Sequence, residues 1–154
     1  MLVAAAVLAA AASAAPDADI RAAAERIRPT VVAVRRDLHA NPELSNREER
    51  TGRLVAERLR ALGLEVRHPV AKTGVVGVLR GARPGGVVAL RADIDTLPVE
   101  EATGLPFASR VKGVMHACGH DAHTAILLGA AEVLPSLRSR LPGTVVFLFQ
   151  PAEE

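Results

Sequence analysis

Three histidines, the only cysteine and an aspartate fall within the segment Met115-His116-Ala117-Cys118-Gly119-His120-Asp121-Ala122-His123. Thiolate and imidazole are preferred ligands of zinc and similar borderline ions. Gly119 frees the backbone to turn so that Cys118 and His120 can converge on one. Asp121 is expected to open the following helix, capping its exposed amides and orienting a ligand imidazole. His116 and His123 read individually as structural or supporting groups. The sharper rival is a Cys118 nucleophile paired with His120, but the segment holds more donors than a thiol nucleophile needs.

Two further segments concentrate carboxylates next to apolar runs. In Arg91-Ala92-Asp93-Ile94-Asp95-Thr96-Leu97-Pro98, alternation would put Asp93 and Asp95 on one side if the preceding strand continues, and two such charges repel unless a cation or donor lies between them. An isolated Asp-x-Asp is more commonly a solvated turn. In Gln150-Pro151-Ala152-Glu153-Glu154, adjacent carboxylates follow a continuous apolar run, so one can bind metal while its neighbour acts as a base on water. A bare Glu-Glu pair would by itself be an acidic surface turn; its position after a buried strand is what raises its weight.

Helical spacing of Ile20, Ala24, Ile27, Val31, Val34 and Leu38 predicts a helix over 19–38, with Pro29 as a kink or break. Ser45 followed by Glu48 has the form of a capping box opening a second helix that stops near Gly63. Residues 64–70, 74–79 and 87–90 read as strands, with Arg83-Pro84-Gly85-Gly86 as a turn. An apolar helix over 122–134 and a strand over 145–149, expected to be buried on both faces, complete the pattern. Alternating strands and helices predict an α/β three-layer sandwich around a mixed sheet. The three polar segments would meet at one sheet edge, where ligand sites form at strand carboxyl ends.

With these segments placed, the chain resembles the metallopeptidase family of aminoacylases and carboxypeptidases, in its amidohydrolase branch of hippurate and auxin-conjugate hydrolases. The resemblance covers residues 20–154. Arg35-Arg36-Asp37-Leu38-His39-Ala40-Asn41-Pro42-Glu43-Leu44 is similar to the family's opening helix and turn; 91–98, 115–123 and 149–154 resemble its aspartate strand end, metal-binding segment and glutamate pair. The resemblance implies part of a zinc-peptidase-like catalytic domain. It also implies Cys118, His120 and Glu154 as metal ligands, Glu153 as general base and Asp95 supporting the site. Asp93 falls where other branches use a histidine and is left out of the ligand set. Two divalent ions, zinc or manganese, and an N-acyl amino acid or peptide-like substrate follow from the same resemblance. So does a homo-oligomer built through a second domain.

Composition narrows the alternatives. With 49% hydrophobic residues in 154, the chain can bury one ordinary core. Aromatic content of 2%, with no Trp or Tyr, removes the stacking platforms of single-stranded nucleic-acid binders, and arginines interleaved with acids form no basic patch. Nucleic acid is not expected as a partner. One cysteine permits no intramolecular disulfide. Residues 1–15 form an Ala/Val/Leu run ending in Ala12-Ser13-Ala14, which has the form of an export signal although no Lys or Arg precedes it. Periplasmic or secreted location follows if it is one, cytoplasmic if it is not. The run is too short to span a membrane. Residues 16–154 are expected to be the amino-terminal part of the catalytic domain, ending before further histidine ligands. Weak metal binding and little turnover are then expected, the alternative being a catalytically silent domain that binds metal or protein.

Overall fold

The computed structural model describes residues 18–154, so the export-signal reading lies outside it. A long helix α1 (Ala18–Ala40) and a second helix α2 (Glu49–Ala61) precede strands β1 (Glu65–Val70), β2 (Gly74–Arg80) and β3 (Arg83–Asp93). Helix α3 (His120–Val133) and a short 3-10 turn (Leu134–Leu137) then lead to β4 (Pro142–Gln150). Pro29 lies inside α1 without breaking it. No helix among the described residues is long and apolar enough to cross a membrane.

The sheet order is β1-β2-β4-β3, with β1 antiparallel to β2, β2 antiparallel to β4, and β3 parallel to β4. Mixed pairing is expected where one connection is a hairpin and the other carries a helix. The expected Arg83–Gly86 turn is instead the start of β3, where Arg83 pairs with Pro142 before the register shifts at Val87. The shift absorbs the glycines that had read as a turn.

One core forms where alternate sheet residues meet the helices. Val75, Leu79, Val145, Phe147 and Phe149 are enclosed by Val34 and Leu38 of α1, Val55 and Leu59 of α2, and Ala125 and Leu128 of α3. The opposite face of the sheet leaves Val76, Val78, Val146 and Leu148 half-buried and Val87 and Ala89 exposed. The described residues therefore build a helix layer and a mixed sheet, two of the three layers predicted. β4 is buried on one face only. Its apolar run does not betray this, because Val146 and Leu148 are as apolar as their buried neighbours.

The Ser45–Glu48 capping box does not form. Helix α2 has no side-chain cap from Glu48. Its first amides are taken instead by Glu43, whose carboxylate accepts the N–H groups of Arg50 at 2.9 Å and Thr51 at 2.8 Å. Ser45 and Glu48 are drawn inward, to partners distant in sequence. A box signature sees only local spacing, whereas the Asp95 carboxylate takes the Ser45 hydroxyl and the Thr73 hydroxyl and Ala152 amide take the Glu48 carboxylate.

Candidate metal centre

Parallel pairing puts the carboxyl ends of β3 and β4 side by side, with Asp93 opposite Gln150. The amide of Ile94 donates to the Gln150 carbonyl at 3.0 Å, extending the ladder one step past the strands. Thr124 of α3 donates to the Asp93 carbonyl at 3.0 Å, and an isolated bridge joins Leu97 to Met115. These ties bring the three polar segments to one edge of the sheet, as their positions predict.

Asp95 organises the buried side. It is fully buried. Its Oδ1 lies 3.1 Å from Nδ1 of His120. Its Oδ2 accepts the Ser45 hydroxyl at 2.7 Å and the Glu154 amide at 3.0 Å. A carboxylate accepts only, so the His120 proton sits on Nδ1 and Nε2 keeps its lone pair facing the site. Burial pushes the Asp95 carboxyl upward, but the Glu154 amide, the Ser45 hydroxyl, its own backbone and His120 together hold it below the ordinary value. Asp95 is thus tied to two of the three expected ligand residues at once. The strand ends at Asp93, so the expected same-side alternation of Asp93 and Asp95 lapses.

Glu48 fixes the glutamate pair from below. Fully buried, it accepts the Thr73 hydroxyl at 2.6 Å and the Ala152 amide at 2.9 Å. Ala152 has a φ of 51°, so that turn sits in a conformation costly for a non-glycine residue and held by its surroundings. Sequence reading missed both Ser45 and Glu48 as site residues. Their signal, a polar pair just after Asn41-Pro42, was absorbed by the capping interpretation.

On the open side, ligand atoms of Cys118, His120 and Glu154 all lie within 4.8 Å of one another. Gly119, with a φ of 85°, makes the turn between the first two. Glu153 Oε2 is 3.8 Å from Nε2 of His120. The exposed Cys118 thiol is pushed above its usual value by hydrogen bonding to Glu154, by burial and by the charges of Glu154, Glu153 and Asp93. Such a thiol is a poor nucleophile without a cation, which disfavours the Cys118–His120 nucleophile reading. A soft sulfur, an imidazole nitrogen and a carboxylate oxygen converging amid surplus negative charge is a donor set that fits a divalent ion.

Asp93, His120 and His123 form a second group within the same 4.8 Å limit. It shares His120 with the first, and Asp93 is already paired with Arg91 at 2.7 Å. His123 is exposed and His116 is buried, with neither ring nitrogen of His116 partnered. Asp121 does not cap α3 as expected. Its carboxylate turns back to α1 instead, where it accepts from the Arg35 guanidinium, a charged donor stronger than a helix amide, and faces Nδ1 of His39.

Comparison with known proteins agrees with this geometry. The model of the peptidase family M20/M25/M40 matches residues 89–154, the part containing all three polar segments. Thermostable carboxypeptidase 2 of Saccharolobus solfataricus is 53% identical over 131 residues, covering 84% of this chain and 33% of that protein. N-acyl-L-amino acid amidohydrolase of Geobacillus stearothermophilus is 50% identical over 137 residues, covering 88% and 37%. Among solved structures, a Bacillus subtilis protein described as a dinuclear metal binding peptidase of the M20 family superposes with a TM-score of 0.78 at 48% identity, covering 86% of this chain and 36% of that one. The chain spans about a third of the length of the curated relatives it matches. In sequence, in fold and in its clustered donors the chain is similar to the M20 peptidase family, and within it to the amidohydrolase branch.

Proposed function

We propose that this chain contributes the Cys118–His120–Glu154 metal centre and the Glu153 base of an enzyme that hydrolyses the amide bond of N-acyl amino acids. The observation that carries the reading is the meeting of three ligand atoms within 4.8 Å, beside a second carboxylate 3.8 Å from the shared histidine. The name of the Geobacillus relative supports the substrate class. The description of the Bacillus structure supports a pair of divalent ions, zinc or manganese by donor chemistry. A two-fold assembly and a complete three-layer catalytic domain belong to the same proposal, as does export if residues 1–15 act as a signal.

Cys118, His120 and Glu154 would hold one ion, and a bound ion supplies Lewis-acid polarisation of the amide carbonyl and acidification of water. The residues of this chain do the rest. Asp95 holds His120 in the tautomer that leaves Nε2 unprotonated and fixes the Glu154 backbone. Glu48 holds the turn that aims Glu153 into the open side. The Glu153 carboxylate takes a proton from the attacking water and delivers it to the leaving amine nitrogen.

The test is metal content by mass spectrometry of the purified chain beside a Cys118→Ala, His120→Ala double variant. Metal in the parent and none in the variant is expected. Metal in neither would overturn the assignment of this centre to these residues.

A further inference from the structure

A second cluster of buried charge lies behind the metal centre, and neither the ligands nor the base uses it. Asp121 is fully buried. Its Oδ2 accepts Nε of Arg35 at 2.9 Å and faces Nδ1 of His39 at 2.8 Å. The other ring nitrogen of His39 lies 3.2 Å from Oε1 of Glu101, whose Oε2 accepts the Ser109 amide at 2.6 Å. The Arg110 amide donates to the Ala40 carbonyl at 3.0 Å. Phe107 meets His39 edge-on at 5.5 Å between ring centroids, with the Arg35 and Arg36 guanidiniums 5.6 and 5.1 Å from its own centroid. The carboxyl-terminal turn of α1, the loop over 101–110 and the first turn of α3 thus share one charged junction.

We propose that Asp121 is a positioning residue for the metal centre, setting the angle at which the Cys118–Gly119–His120 turn meets the sheet. Helix α3 starts at His120 without a side-chain cap and is preceded by a left-handed glycine, so its first turn has little local reason to hold one orientation. The stretch from 98 to 119 contains only the isolated Leu97–Met115 bridge. Asp95 fixes the ring of His120 but not the path of the backbone that carries Cys118. Asp121 is bonded to His120 through the chain and to α1 through Arg35 and His39. Metal ligation tolerates errors of only a few tenths of an ångström, so a small rotation of this turn separates sulfur from nitrogen enough to lower affinity. Removing the Asp121 charge would leave Arg35 and His39 facing a neutral group, and the turn free to shift.

The proposal rests on the metal reading of Cys118, His120 and Glu154, and its test separates the two. Cobalt(II) is titrated into the full 154-residue chain against a competing chelator, reading the thiolate-to-cobalt charge-transfer absorption, which depends on Cys118. Asp121→Asn is expected to weaken cobalt binding about tenfold and to alter that band, as loss of a supporting carboxylate does at other metal sites. Arg35→Ala changes a side chain 42% exposed, so it carries the test if the buried substitution prevents folding; a smaller loss in the same direction is expected. Ile27→Ala, in the apolar contact between α1 and α3, controls for general destabilisation and should bind cobalt as the parent does. Parental affinity and spectrum in Asp121→Asn and Arg35→Ala would overturn the positioning role, as would an equal loss in Ile27→Ala. A parent chain without any Cys118-dependent band would overturn the metal reading itself, and the positioning role with it.

Discussion

The two sides of the candidate metal centre are built on opposite principles. On the buried side, Asp95 and Glu48 have no exposed surface, yet each finds donors for both carboxylate oxygens. On the open side, Cys118, Glu153 and Glu154 are exposed and crowd negative charge around one point. Buried charges are tolerable only when hydrogen-bonded, so the inner residues are committed to fixing geometry. The outer residues are left short of positive charge, and that shortage is what would favour a bound ion in the proposed centre.

Separating ligand from base breaks the open side most sharply. Glu154→Ala is expected to lose essentially all bound metal, whereas Glu153→Ala should keep it, because only Glu154 lies in the triad with Cys118 and His120. Mass-spectrometric metal content of the two variants, prepared side by side, checks this. Equal loss in both would mean that the glutamates are interchangeable and that the division of roles is wrong.

The buried side has exceptions to its rule, and the one at His116 predicts an acid weakness. His116 is buried with both ring nitrogens unpartnered. Burial drives its pKa down to about 4, with His39 and His120 pushing the same way and the charges of Asp121 and Asp95 opposing. The unfolded chain takes up this proton below about 6.5 and the folded chain only near 4, so stability should fall as pH drops through that window, by roughly 3 kcal/mol in all. Asp95 works at lower pH. Its folded value is depressed, so its contribution is complete above the unfolded value near 3.9 and is lost only as pH falls below that. Urea midpoints measured from pH 7 to pH 4 should decline in the parent and flatten in His116→Leu.

Asp95→Asn tests whether the inner side governs the outer one. The amide can still accept at one oxygen but cannot accept from His120 on one side and from both Ser45 and the Glu154 amide on the other without turning its N–H₂ toward a donor. Metal affinity is expected to fall about 10- to 100-fold, with the fold retained. Ser45→Ala removes only one of the three donors and should fall less. Isothermal titration with zinc would rank them, and equal effects would show that Asp95 acts through Ser45 alone.

How legible this division was in the sequence follows from how local each signal is. Cys118, Gly119 and His120 are adjacent, and their chemistry is uncommon enough to announce itself. Strands β1, β2 and β4 and helices α1 and α3 emerged from periodicity that depends on near neighbours. The inner side was hidden because its partners are far apart. Ser45 reaches Asp95 across 50 positions and Glu48 reaches Ala152 across 104. Both residues satisfied a local helix-start pattern that tertiary acceptors then overrode. The same competition moved Asp121 from the expected cap to Arg35 and His39. Whether a strand is covered on one face or two was also unreadable for β4, whose run is apolar at every position from Val145 to Phe149.

The smallest expected effect probes the open side without any metal. Because Glu154, burial, Glu153 and Asp93 all raise the Cys118 thiol, less thiolate is present at a given pH than in an ordinary exposed cysteine. Iodoacetamide should therefore alkylate the metal-free chain a few-fold more slowly at pH 8 than a simple peptide thiol, despite full exposure of the sulfur. Glu154→Gln removes the charge of the carboxylate bonded to the thiol and should recover much of that rate. Glu153→Gln, which acts on the thiol only through space, should recover less. Added zinc should slow alkylation further in the parent, because a coordinated sulfur is shielded even though it is deprotonated. Fast alkylation of the metal-free parent would mean that the carboxylates do not bear on the thiol, and the contrast between a satisfied inner side and an unsatisfied outer one would lose its electrostatic basis.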